Sequence, residues 1–325
     1  MSRITGGIAV ALVGRLALPA GDEARLRLAS DAWPPFTDVA GETRLALDLV
    51  HKALERAGVA AETTIVSWNE ATAGLRDGEF DGSAAIWHDA ERERRLLYSE
   101  PYLENRLVLV GKNGSDVGAG DLPALAGKRI AVVDQYAYGA EVDDASGPLF
   151  VGGPSDQANL ARLLAGEVDY MLVDELLIRY LVEHRQQETA QLLEIGRTPL
   201  VRRPLHFAVR RELAEAQTIV AKFNAEIRQM LADGSYNVIL ALDWIRADVD
   251  GDGRPELVPR ESRAGTTAPA HGYDILSSIP REPPVTALDR YWIDGRVYDG
   301  WEQVPDRYKT PPRAIDEPPP ALLRF

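Results

Sequence analysis

Four carboxylates crowd the segment Asp248-Val-Asp250-Gly-Asp252-Gly-Arg254-Pro-Glu256. They take positions 1, 3, 5 and 9 of a loop whose interleaved glycines permit a sharp turn, and oxygen-rich loops of this kind suit hard Ca2+. Without a cation such charges repel one another. Structural Ca2+ is therefore expected on Asp248, Asp250, Asp252, Arg254 and Glu256, pinning the C-terminal segment to the rest of the chain. Pro259 at position 12 excludes an EF-hand, which needs a bidentate Glu there. A second charged run, Glu91-Arg92-Glu-Arg-Arg95, offers guanidinium groups whose planar fork matches a carboxylate; it also reads as a solvated helix start. Asp174 closes the apolar run Tyr170–Val173, and open α/β sheets present ligand groups at such strand ends. Asp174 is equally suited to cap a helix running from Leu176. The chain has no cysteine, which removes disulfides, thiolate chemistry and iron–sulfur clusters, and its five His lack an HExxH spacing. No organic cofactor is expected.

The elements that must position these groups alternate in period. Leu26–Ser30 reads as a strand, followed by the Pro-stiffened loop Asp31–Phe36 and a helix through Leu45, Leu49, Val50, Ala53 and Leu54 that stops at Gly58. Further strands are expected over Glu62–Trp68, Phe80–Ile86, Arg106–Gly111, Arg129–Val133, Tyr170–Val173 and Leu205–Arg210. Helices fall between them at Asn69–Arg76, around Leu160–Leu164, at Leu176–Glu183 and at Ala214–Leu231, with Asp243–Ile245 also read as helical. Strand alternating with helix means largely parallel sheets covered on their faces, here in two α/β lobes. Past Val258 lie over half of the chain's 21 prolines, with six aromatics among them from Tyr273 to Tyr308. That composition predicts an irregular extension over 259–325, packed through its aromatics and frayed at Pro318–Pro320. A formal charge of -14 repels phosphate backbones, so no nucleic-acid partner is expected. Arg3, the apolar run Ile8–Leu18 and the small residue Ala20 before Gly21-Asp22-Glu23 predict an export signal over 1–20 and a soluble periplasmic protein.

Three segments carry a resemblance. The run Ser99-Glu100-Pro101-Tyr102, with Glu91-Arg92 before it and Leu107–Val110 after it, resembles the signature of family 3 of the bacterial extracellular solute-binding proteins. Asp31–Phe36, Leu125–Val133 and Gly166–Asp174 extend the likeness over about residues 25 to 245. The resemblance implies a type II periplasmic-binding-protein fold, with two lobes joined by two crossover strands near Leu107–Lys112 and Pro199–Phe207. Lobe 1 would comprise 22–108 and 206–245, lobe 2 109–205, and the acidic loop 246–258. That loop resembles the short DxDxDGxxD/E calcium loops of extracellular proteins.

It also implies a function: a monomeric receptor that captures an amino acid or derivative between its lobes and delivers it to the membrane subunits of an ABC importer. A zwitterion needs a guanidinium for its carboxylate and a carboxylate for its ammonium, and Arg92 and Asp174 match the positions where the family places these. Two stretches depart from the family. Ala84-Ala-Ile-Trp-His88 and Gln135-Tyr136-Ala137-Tyr138 carry aromatics and His where small hydroxyls are usual. Trp33, Trp68, Trp87 and Tyr136, with Asp31, are then the expected pocket walls, suited to a larger, aromatic or partly apolar ligand. The same fold also serves enzymes such as cyclohexadienyl (prephenate/arogenate) dehydratases and stand-alone sensors, and these are the alternatives.

Overall fold

The structure is a computed structural model that describes residues 25–185, 191–270, 272–276 and 289–311. The expected export signal and the Pro318–Pro320 end lie outside the described residues.

Lobe 1 is built from β1 (Leu26–Ser30), α1 (Leu45–Arg56), β2 (Ala61–Ile65), α2 (Trp68–Asp77) and β3 (Gly82–Trp87), and lobe 2 from β6 (Arg129–Val133), α3 (Ala140–Asp143), β7 (Leu149–Gly153), α4 (Asp156–Ala165), β8 (Tyr170–Asp174) and α5 (Glu175–Arg185). Within each lobe the pairings β1–β2, β1–β3, β6–β7 and β6–β8 are parallel, as strand–helix alternation requires. Two long strands, β5 (Leu103–Lys112) and β10 (Val201–Arg210), join the halves into one ten-stranded sheet of order β2-β1-β3-β10-β5-β8-β6-β7. They are antiparallel to each other over Leu103–Leu107 and Val201–Leu205. Beyond that stretch β5 turns to β8, and β10 turns to β3 and to β4 (Leu96–Tyr98). The short β9 (Leu193–Ile195) pairs with the end of β5. The exchange of partners thus sits at 103–107 on the first crossover, just ahead of the segment expected from the sequence. The long helix α6 (Ala216–Asp233) follows lobe 2 in the chain but buries Val220, Phe223, Ile227 and Met230 in the core shared with α1.

Local signals explain the boundaries that bear on the site. The strand expected over Glu62–Trp68 ends at Ile65. Ser67 caps α2 instead, its hydroxyl accepting from the Glu70 N–H while the Glu70 carboxylate accepts from the Ser67 N–H. Trp68 therefore opens a helix. Trp87 closes β3, whose six residues are all buried.

The region after lobe 1 corrects the sequence reading. Trp244–Ala247 is not helical; it is β11, antiparallel to β12 (Glu256–Pro259), and the acidic loop is the connection of that hairpin. Nor is the extension irregular throughout. With β13 (Tyr273–Asp274), β14 (Arg290–Ile293) and β15 (Arg296–Asp299), it completes a five-stranded sheet of order β13-β11-β12-β14-β15. Asp294-Gly295, both at positive φ (54 and 74), makes the tight turn of the last hairpin. Leu257, Tyr291, Ile293, Trp301, Val304 and Tyr308 form a separate small core under this sheet. The aromatics do pack, but they do so on a framework of strands.

Candidate functional site

Three strand or helix ends of lobe 1 converge on one point: Asp31 and Trp33 just after β1, Trp68 at the start of α2, and Trp87 at the end of β3. Trp33 and Trp87 are buried and stand edge to face, with ring centroids 5.6 Å apart. The loop carrying Trp33 is pinned by reciprocal backbone bonds between Trp33 and Thr37 and by the Thr37 hydroxyl donating to the Asp31 carbonyl at 2.7 Å. Arg92 lies just beyond β3, its guanidinium 5.1 Å from the Trp68 ring centre, a cation–π contact. Its N–H is held by the Asp89 carboxylate at 2.8 Å.

Lobe 2 contributes the turn after β6. The Tyr136 ring enters the space among the three tryptophans, 6.0 Å from Trp33, 5.6 Å from Trp68 and 5.4 Å from Trp87. Its hydroxyl donates to the Asp31 carboxylate at 2.8 Å. Burial pushes the Tyr136 hydroxyl well above its ordinary pKa, so it stays protonated and keeps donating. Burial also raises Asp31, and the bond from Tyr136 opposes that rise. The Gln135 carbonyl accepts from Arg92 Nη2 at 3.1 Å and from Trp68 Nε1 at 3.3 Å. Asp31, Trp33, Trp68, Trp87, Arg92 and Tyr136 thus line one cavity, together with Ala85, Ile86 and Ala137.

The seventh expected ligand residue lies elsewhere. Asp174 is buried, and its carboxylate accepts four donors: the N–H groups of Leu176 (2.7 Å) and Leu177 (3.1 Å), the Asn105 amide (3.1 Å) and the Arg106 N–H (3.0 Å). It caps α5 and does not line the cavity. It reaches the cage through Asn105, whose Oδ1 accepts from Trp87 Nε1 at 2.8 Å. Burial raises the pKa of Asp174 to about 6, its hydrogen bonds pulling the other way.

Sequence reasoning missed Asn105, Gln135 and Asp156. Asn105 sits inside a strand between Glu104 and Arg106, where its polarity does not set it apart. Gln135 acts through its backbone, at a left-handed φ of 63 that no side-chain type announces. Asp156 is buried beside Asp31 and Asp174; its pKa rises to about 7, first through burial and then through those two charges.

At the acidic loop, Asp248 accepts from the N–H groups of Gly251 (2.9 Å) and Gly253 (3.0 Å), both glycines at positive φ. Carboxylate oxygens of Asp248, Asp250 and Glu256 lie within 4.8 Å of one another. A residue absent from the expected set, Arg290 of β14, also reaches in. Its guanidinium contacts Asp250 (3.0 Å), Asp252 (3.0 Å), Glu256 (2.8 Å) and the Arg254 carbonyl (2.9 Å). Asp252 and the Arg254 carbonyl therefore face Arg290. Burial raises Glu256 to about 7.

The chain resembles known proteins in both sequence and fold. The family model described as bacterial extracellular solute-binding proteins, family 3, matches residues 26–245. A probable amino-acid ABC transporter-binding protein of Haemophilus influenzae is 24% identical over 221 residues, covering 67% of this chain and 82% of its own. Among solved structures, an ancestral arginine-binding protein bound to arginine superposes with a TM-score of 0.57 at 24% identity, covering 67% of this chain and 96% of that one. The arginine-, lysine-, histidine-binding protein ArtJ from Geobacillus stearothermophilus gives 0.56 at 21% identity (66% and 93%). A histidine kinase sensor domain with similarity to periplasmic binding proteins gives 0.56 at 21% (67% and 94%). At these identities the structures establish the fold: a type II periplasmic-binding-protein architecture.

Proposed function

The chain belongs to the bacterial extracellular solute-binding proteins of family 3, and from that premise we propose that it captures an amino acid or amino-acid derivative between its lobes and delivers it to the membrane subunits of an ABC importer. The observation that carries this reading is the pairing of opposite charges on one aromatic wall. Arg92 and Asp31 line the same cavity, with three tryptophans, on lobe 1. A zwitterion needs both charges, and the guanidinium fork suits its carboxylate. Asp31 takes the ammonium role in this arrangement, since the Asp174 carboxylate is already occupied by four donors. Asp174 supports the wall from behind, through Asn105 and Trp87.

Export to the periplasm is part of this reading, supported by the family. Among the described residues no helix is long and apolar enough to cross a membrane. Ca2+ at the acidic loop is part of the same proposal. One guanidinium faces several carboxylates there, and carboxylate oxygens of Asp248, Asp250 and Glu256 lie close enough to share a hard cation beside it, which supports this reading.

Mass spectrometry of whatever small molecule leaves the purified protein on denaturation, followed by calorimetric titration of the compound found, tests the function. A free amino acid or close derivative bound one to one supports it. Conversion of arogenate or prephenate by the protein would overturn it in favour of a dehydratase.

A further inference from the structure

We propose that the Gln135–Tyr136 turn is a tethered stand-in for the ligand, and that the tryptophan cage takes a free aromatic amino acid of the tyrosine type once this turn has swung out. The proposal rests on the zwitterion reading of the same site and adds the ligand class and the competitor.

Each group on lobe 1 that could hold such a molecule is already met by lobe 2. The Arg92 guanidinium, suited to a carboxylate, donates to the Gln135 carbonyl at 3.1 Å. The Asp31 carboxylate takes the Tyr136 hydroxyl at 2.8 Å. The Trp33, Trp68 and Trp87 rings surround the Tyr136 ring, all edge to face at 74–79°, the arrangement aromatic quadrupoles favour. A carbonyl, a ring and a phenolic hydroxyl thus satisfy the cation, the cage and the anion together. The space left is about 20 Å3, room for one water and far too small for an amino acid. A ligand of any size must therefore displace the turn.

The turn is placed for that. Gln135 is exposed and holds a φ of 63, a left-handed conformation that strains a non-glycine residue. Immediately beyond it, Tyr138 is buried, and its hydroxyl accepts the Val133 N–H at 2.8 Å. The base is fixed to lobe 2, so Gln135 and Tyr136 leave the cage as the lobes part. The occupant also indicates the ligand. A cationic side chain would meet the Arg92 guanidinium, already seated 5.1 Å from the Trp68 ring centre, whereas an aromatic ring reproduces the edge-to-face contacts of Tyr136 and leaves Asp31 to the ammonium.

Three measurements test this, with p-cresol as a free copy of the tyrosine side chain. Wild-type protein without additive should scatter X-rays as a compact particle and bind no p-cresol. Tyr136→Ala should show a larger radius of gyration, bind p-cresol by calorimetry and contract when it does. L-tyrosine should bind Tyr136→Ala at least about tenfold more tightly than wild type, because the competing occupant is gone. A wild-type radius together with no p-cresol binding in Tyr136→Ala would overturn the proposal and make the ring ordinary packing. Binding of p-cresol but of no amino acid by that variant keeps the stand-in and refutes the amino-acid receptor. Should Tyr136→Ala fail to fold, Tyr136→Phe decides: loss of the Asp31 bond should expand the particle and tighten L-tyrosine binding about fivefold, and no change in either overturns it.

Discussion

Replacing Asp174 separates two roles that a buried carboxylate at a strand end can play. Its two oxygens accept four donors, two from the first turn of α5, one from the Asn105 amide and one from the Arg106 backbone. Asp174→Ala strands all four at a position only 3% exposed. Losing a cap alone costs about 1 kcal/mol, and a buried group deprived of its partner costs about 1–3 kcal/mol. The four losses are not independent, so about 3–4 kcal/mol in total is the expected destabilisation, in line with other broken buried networks. At about 2–4 °C per kcal/mol for a unit of this size, the melting temperature should fall by roughly 6–16 °C. Binding should weaken only indirectly, because Asp174 reaches the cage through Asn105 and Trp87. Differential scanning calorimetry with a parallel ligand titration measures both. A variant that melts within about 2 °C of wild type yet has lost all ligand binding would refute the cap and put Asp174 back in the cleft, where the family resemblance had it.

Arg92→Ala should abolish amino-acid binding, since a desolvated carboxylate left without its partner costs about 2–5 kcal/mol. Arg92→Lys should restore little of it because an ammonium lacks the fork; wild-type affinity in either variant removes Arg92 from the site. Burial raises the carboxyl pKa values of Asp156 and Glu256 to about 7 and of Asp174 to about 6. The folded state then holds protons the unfolded chain has already released, so this stability is full below about pH 4 and is lost as pH rises through 6 to 7. Urea unfolding at pH 5 and pH 8 should accordingly give higher stability at pH 5 from these groups, and Asp156→Asn should flatten the difference; an unchanged slope in the variant assigns the effect elsewhere. Ca2+ at a hundredfold excess over its dissociation constant should add about 2.7 kcal/mol. Asp250→Ala should abolish that gain, and equal melting in chelator and in Ca2+ leaves the loop to Arg290 alone.

The parts of the fold legible in the sequence are those where one period dominates. Arg129–Val133 is buried at every position after its first, and α1 keeps its apolar residues on one face. Errors arose where a short local signal competed with a run of apolar residues. Trp68 looked like the end of a strand, although Ser67 and Glu70 spell a capping box. Trp244 looked like the tail of a helix, although it pairs with Pro259 in a hairpin. Proline content suggested irregular backbone after Val258, while Asp294-Gly295 between β-rich segments already marked a turn. At the site, residue type found the aromatics and Arg92, because chemistry follows type. It could not find Gln135, whose contribution is a carbonyl, or Arg290, which comes to the acidic loop from a strand 38 residues after Asp252.

The added sheet and the ligand cleft meet on one strand. Successive side chains of β5 point to opposite faces. Asn105 faces inward, where it joins Trp87 to Asp174. Arg106, its neighbour, faces the other way, stacks 4.7 Å from the Tyr273 ring centre and donates to the Asp274 carbonyl on β13. The Arg106 backbone N–H nevertheless returns to the same Asp174 carboxylate that holds Asn105. Rotation of the lobes about the crossover strands has to pass through residues 103–107, where β5 exchanges partners. The extension therefore contacts the crossover strand through Arg106, on the face opposite the one where Asn105 joins Trp87 to Asp174.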